Sequence, residues 1–276
     1  RCMPIIAITR EMGSLGKDVA SGLGQSLDLP IFYHEVVEPL ADRMRVRKSH
    51  VIRLIDGSAG LLERLTADKT SLAIFSADEI FDLAMQGKGA VVRGWGATHL
   101  LRDVPHAICV RVCAPLQVRK RRMMERLNTD DDAAVSVEIH CNDESHTAIM
   151  RRNFGLQWTD PENYDVVFNT ERVSVNECID EVTRLVRSDA FAETAQSRRK
   201  LADLALAARV RAALRLAPLT RDARVSVTSC DGRVTLTGDL GTDALLAVAE
   251  VVDSVPGVAD FEYRSRPAEP VPPGAG

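Results

Sequence analysis

The stretch Pro4-Ile-Ile-Ala-Ile-Thr-Arg10-Glu-Met-Gly13-Ser-Leu-Gly16-Lys17-Asp18-Val-Ala20 decides how the rest of the chain is read. Pro4 to Thr9 is an unbroken apolar run of strand length, which suits a strand buried on both faces. Gly13 and Gly16 punctuate it. Val19, Ala20, Leu23 and Leu27 then recur on one face of a helix. Strand, glycine-rich turn, lysine and helix is the layout of a phosphate-binding loop. Backbone N–H groups and a helix N-terminus must converge on phosphate oxygens, and glycine permits that approach. Against the pattern GxxxxGK[ST], Gly16 and Lys17 match the second glycine and the lysine, while Glu11 replaces the first glycine. Asp18 replaces the hydroxyl that would touch magnesium. A glycine turn between strand and helix is also often just a turn, and the loop alone does not separate the two readings.

Reading outward, Pro30 to Tyr33, Ala90 to Arg93, Ala107 to Cys113 and Tyr164 to Asn169 are four more short strands. Helical spacing fills 35–85, with breaks near Lys48, Gly57 and Lys69. Pro115 opens a basic helix through Arg126, and Thr129 is the expected N-cap of the next, which runs to about Arg152. Val175 to Val186 closes the unit. Apolar strands alternating with helices predict a three-layer α/β unit around a parallel sheet, ending near Ser188. Residues 189–200 read as a linker or a helix extension. The second unit, 201–266, has a different grammar. A helix from Leu201 is followed by alternating strands at 224–228 and 233–237 joined by Asp231-Gly232, a helix from Leu245 to Val255, and a strand to Tyr263. The Pro/Gly-rich tail, 267–276, is expected to be disordered.

Composition narrows the function. At 45% hydrophobic and 27% charged, with a net charge of −4, the chain has material for real cores and lacks a general nucleic-acid footprint. No apolar run approaches the roughly 18–20 residues of a membrane span. The opening residue is Arg1, so a start upstream is expected. The six cysteines form no CxxC pair, which predicts reduced thiols and a cytoplasmic setting. His140-Cys141-x-Asp143-x-x-His146 holds metal-ligand residue types without a regular zinc spacing, so no metal site is assigned.

The residues from Ile8 to Ala20, followed by Leu29-Pro-Ile-Phe-Tyr33, resemble the opening of the cytidylate kinase-like family, a branch of the P-loop nucleoside monophosphate kinase fold. The resemblance continues through Val91-Val-Arg-Gly-Trp-Gly-Ala97 and Val112-Cys-Ala-Pro115 with Arg119 and Arg122. It closes with Asp143, Arg151, Phe154-Gly155, Trp158, Asp160-Pro161 and Tyr164 to Thr170. It implies ATP- and Mg²⁺-dependent phosphoryl transfer to a nucleoside monophosphate, typically CMP. It places Gly13, Ser14, Gly16, Lys17 and Asp18 at the ATP phosphates and Asn169 and Thr170 near the base. Lys17, Arg119 and Arg122 would be catalytic, with His34, Arg93, Asp143 and Arg151 on the acceptor side. Arg119, Arg122 and Arg126 share one helix face, which suits either an arginine-bearing lid or a solvated surface.

The departures cluster at charged positions. Trp95 stands where members carry the arginine of Gly-Arg-Gly-Ala, unless Arg93 compensates. His34 replaces an aspartate, and His146 replaces an arginine three residues after Asp143. Arg93 stands where cytidylate kinases proper have an acid ending the third strand. A second expectation is therefore a degraded site that binds nucleotide without turnover. Residues 201–265 resemble a BON domain through Arg209 to Leu214, Asp231-Gly-Arg-Val-Thr-Leu-Thr-Gly238 and Val255-Pro-Gly-Val258. That resemblance implies a binding role toward a protein or lipid partner.

Overall fold

The computed structural model describes residues 4–33, 37–56, 68–94 and 96–265. The expectations for His34, Trp95, the break at Gly57 and the 267–276 tail lie outside the described residues. Two units emerge, Arg1–Leu201 and Ala202–Gly276.

In the first unit the apolar runs become strands β1 (Ile5–Arg10), β2 (Ile31–Phe32), β3 (Ala90–Arg93), β4 (Ala107–Cys113) and β5 (Val166–Asn169). They form one parallel sheet in the order β2-β3-β1-β4-β5. The helices between them are α1 (Gly16–Leu27), α2 (Val37–Met44), α3 (Lys48–Asp56), α4 (Lys69–Met85), α5 (Ala97–Leu100), α6 (Leu116–Leu127), α7 (Asp132–Phe154) and α8 (Val175–Val186). Ile6, Ile8, Val91, Ile108, Val110, Val112 and Phe168 pack with Val19, Ala20 and Leu23 of α1 and Cys178, Val182 and Val186 of α8. The opposite face carries α5, where the buried Cys109 thiol donates to the carbonyl of Thr98 at 3.1 Å. Apolar residues of both parities in β1 and β4 are explained by this cover on both sides.

Several boundaries differ from expectation for local reasons. Pro115 is the residue before α6, with φ −56° and ψ 145°, so the helix starts at Leu116. Asp131, not Thr129, caps α7: its carboxylate accepts from Ala134 N at 2.9 Å. The Thr129 hydroxyl accepts from Asp131 N at 3.2 Å, one step outside the helix. Tyr164 and Asp165 precede β5 because the Asp165 carboxylate takes the Cys109 N–H at 2.7 Å and Arg102 at 2.7 Å. The stretch read as a linker or a helix extension holds a short 3₁₀ turn, Asp189–Phe191, and the start of α9 (Ala195–Leu216), so the helix does extend back into it. Thr194 and Ser197 cap that helix reciprocally, at 3.0 and 2.9 Å, which fixes its early start.

In the second unit β6 (Val225–Cys230) and β7 (Arg233–Gly238) form a hairpin. Asp231 and Gly232 both take positive φ, 48° and 83°, as a two-residue turn of this hand requires. Helix α10 (Thr242–Asp253) leads to β8 (Asp260–Ser265), which lies parallel to β7. Val227, Val234 and Leu236 meet Leu206, Val210 and Leu214 of α9 and Val248 and Val252 of α10 in a separate core. The order helix, strand, strand, helix, strand is the one expected. No helix among the described residues is long and apolar enough to cross a membrane.

Candidate functional site

The loop between β1 and α1 is built for a close approach. Gly13 has φ +80°, and Leu15, the residue before α1, has φ +63°. A Cβ on Gly13 would lie 2.8 Å from the carbonyl oxygen of Arg119, and one on Gly16 would lie 2.5 Å from Arg10 Cβ. Ser14 N donates to Glu11 O at 3.2 Å, and Asp18 N and Val19 N donate to Leu15 O at 3.0 Å. Among the described residues, the N–H groups of Gly13, Leu15, Gly16 and Lys17 meet no backbone carbonyl. They stand at the positive end of α1, the arrangement that favours an anion. The Ser14 hydroxyl is buried and has no partner among the described residues. Lys17 and Asp18 are exposed on the first turn of α1. A row of backbone donors, an orphaned hydroxyl and an exposed ammonium fit a chain of phosphates.

Glu11 supports the loop from beneath. Its carboxylate takes Arg111 Nη2 at 2.6 Å and Ala114 N at 3.2 Å, and Arg119 Nε lies 3.5 Å away. Arg111 also donates to Thr159 O at 3.0 Å and lies over the Trp158 ring at 5.1 Å. In the sequence Glu11 reads only as a lost glycine, and Arg111 is not among the expected site residues. A basic residue in the middle of an otherwise apolar buried strand was the available signal.

The α6 arginines do not share one environment. Arg119 is buried and grips Asp143 with two bonds, 3.2 and 2.9 Å. Arg122 donates to the Thr170 hydroxyl at 3.0 Å and to its carbonyl at 2.7 Å. The Thr170 hydroxyl in turn donates to Ser14 O at 2.8 Å. Arg126 is exposed. Thus Arg119, Arg122, Asp143 and Thr170 all converge on the underside of the loop. Asn169 is exposed beside them, its side-chain oxygen accepting from Glu171 N at 3.0 Å. Arg151 lies exposed in the last turn of α7. His146 faces inward, 4.2 Å ring to ring from Trp158. Burial holds its pKa down to about 4, with Arg10 and Arg111 adding repulsion, so it is a neutral ring at pH 7.

Arg93 ends β3 with its guanidinium 4.1 Å from the centre of the Tyr33 ring. It is 9% exposed, and its Nε has no acceptor among the described residues. Magnesium finds little beside these groups. Glu11 and Asp143 are taken up by arginines, Asp18 is one exposed carboxylate, and the β3 end presents a cation. Among the described residues these groups fit phosphate, and Asp18 is the one exposed carboxylate beside the loop for a divalent ion that the phosphates themselves would largely hold.

A parallel sheet in this strand order, carrying a phosphate-type loop after its central strand, defines a P-loop kinase fold. Residues 5–172 match the model of the cytidylate kinase-like family, and the chain belongs to that family. Residues 202–260 match the BON domain. A crystal structure of an uncharacterized protein from Eubacterium ventriosum is 22% identical, with a TM-score of 0.53 over 67% of this chain and 99% of that one. Shikimate kinase from Acinetobacter baumannii, solved with shikimate, is 12% identical, with a TM-score of 0.40 over 67% of this chain and 93% of that one. No curated protein matches the chain.

Proposed function

We propose that the first unit transfers a phosphoryl group from ATP to a nucleoside monophosphate, with CMP the acceptor suggested by the family. The observation that carries this reading is the set of unengaged N–H groups over the orphaned Ser14 hydroxyl, with Lys17 beside it. Gly13, Ser14, Gly16 and Lys17 hold the ATP phosphates, with Asp18 at their edge. Asn169 and Thr170 lie toward the base. Arg119 and Arg122 place positive charge next to the loop, where it stabilises charge on the migrating group. His34, Arg93, Asp143 and Arg151 serve the acceptor side. The BON module localises or regulates the enzyme by contact with a protein or lipid partner, in the cytoplasm.

The test is ADP release by the full chain with ATP, magnesium and a panel of nucleoside monophosphates, beside Lys17→Ala. Acceptor-dependent turnover lost in Lys17→Ala supports the reading. ATP binding without turnover for any acceptor supports a second reading, a nucleotide-gated binding module. That second reading is favoured by Arg119 and Arg122, whose charges are already engaged by Asp143 and Thr170.

A further inference from the structure

The three-stranded sheet of the second unit has two edges, and they are built differently. Its order is β6-β7-β8. On β8, the charged Asp260, Glu262 and Arg264 alternate along one face. They stand opposite Arg233, Thr235 and Thr237 of β7, with Arg233 3.3 Å from Asp260 and the Thr235 hydroxyl donating to Glu262 at 3.0 Å. Charged side chains along an edge strand keep further strands away. The other edge, β6, reads Val-Ser-Val-Thr-Ser-Cys. It carries no charge and no proline. It pairs with β7 in unbroken register over its whole length, so no bulge turns it aside.

Hairpin geometry says which backbone groups of β6 are open. The residues flanking a two-residue turn exchange both hydrogen bonds, which makes Cys230 and Arg233 a bonded pair. Alternation then bonds Thr228 to Thr235 and Ser226 to Thr237. The N–H and C=O groups of Val225, Val227 and Ser229 point away from β7, and no backbone group among the described residues meets them. The Ser229 hydroxyl is also buried without a partner among the described residues.

A second copy of the same strand complements this edge. Across an antiparallel pair, open groups must face open groups. A two-fold axis at Val227 therefore sets Val227 against its own copy, Val225 against Ser229, and Ser226 against Thr228. The last pair puts two exposed hydroxyl side chains side by side. The same register brings the exposed Arg224 beside Cys230 and the exposed Asp231 of the other copy, so unlike charges meet at both ends. An extended segment of a different protein would find the same open groups. The strand's own hydroxyls and end charges match in one register, which favours its own copy as the occupant.

We infer that β6 is the pairing edge of a homodimer, in which two copies join antiparallel about Val227 into one six-stranded sheet. The inference rests on the second unit and stands whether or not the first unit turns over nucleotide. Sedimentation velocity of the full chain from about 1 to about 200 µM compares the native protein with two double variants, Ser226→Lys with Thr228→Lys and Ser226→Glu with Thr228→Glu. The native chain is expected to dimerise with a Kd on the order of 10 µM, as suits a small interface. Each variant alone weakens dimerisation about tenfold or more, because like charges then stand opposite one another. An equimolar mixture of the two variants associates again, because Lys then faces Glu. Residue-resolved hydrogen exchange of the native chain reads the same edge without a mutation. The amides of Val225, Val227 and Ser229 slow severalfold on concentration, while those of Ser226 and Thr228, already bonded to β7, change little. A native chain that stays monomeric at about 200 µM, with its edge amides exchanging freely, overturns the inference and leaves the edge to a strand of a different chain. A dimer that both variants retain, or one that leaves the edge amides unprotected, lies on another surface and overturns it too. Where a variant fails to fold, the exchange pattern of the native chain decides.

Discussion

Glu11 and Arg111 meet at 2.6 Å between the end of β1 and β4, with side chains only 14% and 10% exposed. The residue that breaks the loop pattern is therefore the anion that lets two arginines stand under the loop. Glu11→Gly, which restores the commoner loop glycine, is expected to cost about 3–5 kcal/mol, because it strands buried charge. Urea unfolding of the two proteins measures this. A variant as stable as the native chain would refute the supporting role.

Gly13 tests the loop's close approach. Gly13→Ala combines a left-handed backbone cost of about 1–2 kcal/mol with a Cβ 2.8 Å from Arg119 O. Gly87 has φ +70° and nothing within 4 Å of its missing Cβ, so Gly87→Ala carries the backbone cost alone. The difference between the two melting temperatures isolates the contact with α6. Equal shifts would mean that the loop and α6 separate freely.

Arg122 ties Thr170 to the loop through both its hydroxyl and its carbonyl. Arg122→Lys keeps the charge and loses the fork, and is expected to lower stability by about 1–3 kcal/mol. Hydrogen exchange of residues 11–18 should quicken in this variant. Unchanged exchange with an intact fold would place the Arg122 contacts outside the loop's support.

Acid should weaken the first unit through His146. Its pKa of about 4 in the folded chain lies below its ordinary value, so the unfolded chain binds more protons between those two values. The contribution is full above about pH 6.5 and is lost as pH falls toward the folded value. His99 and His106, also lowered chiefly by burial, act with the same sign. Replacing His146 with Gln should flatten the fall in melting temperature over this interval. An identical pH profile for His146→Gln would sink the assignment.

The sheet was legible because its strands carry their own signal. Ile5 to Thr9 and Ala107 to Cys113 are apolar in both parities, and only a sheet covered on both sides accepts that. The Asp231-Gly232 turn was legible for a local reason, since two consecutive positive φ values need such residues. The underside of the loop was not legible. Glu11 and Arg111 stand 100 residues apart, and Arg119 reaches Asp143 across a helix hairpin. Periodicity grouped Arg119, Arg122 and Arg126 on one face, but burial separates the first from the last. Nothing local tells a capping Thr129 from Asp131 when both precede the helix with suitable side chains.

The Ser14–Thr170 hydrogen bond spans 156 positions. Contacts of such separation form late, after the loop-closure cost of everything between them has been met. A chain emerging from the ribosome therefore carries its glycine loop long before it owns the residue that braces it. On the proposed function, a nucleotide would stabilise only the finished unit, acting by mass action on that state alone. Synthesis must pass β5 before the ligand can help the protein hold its shape.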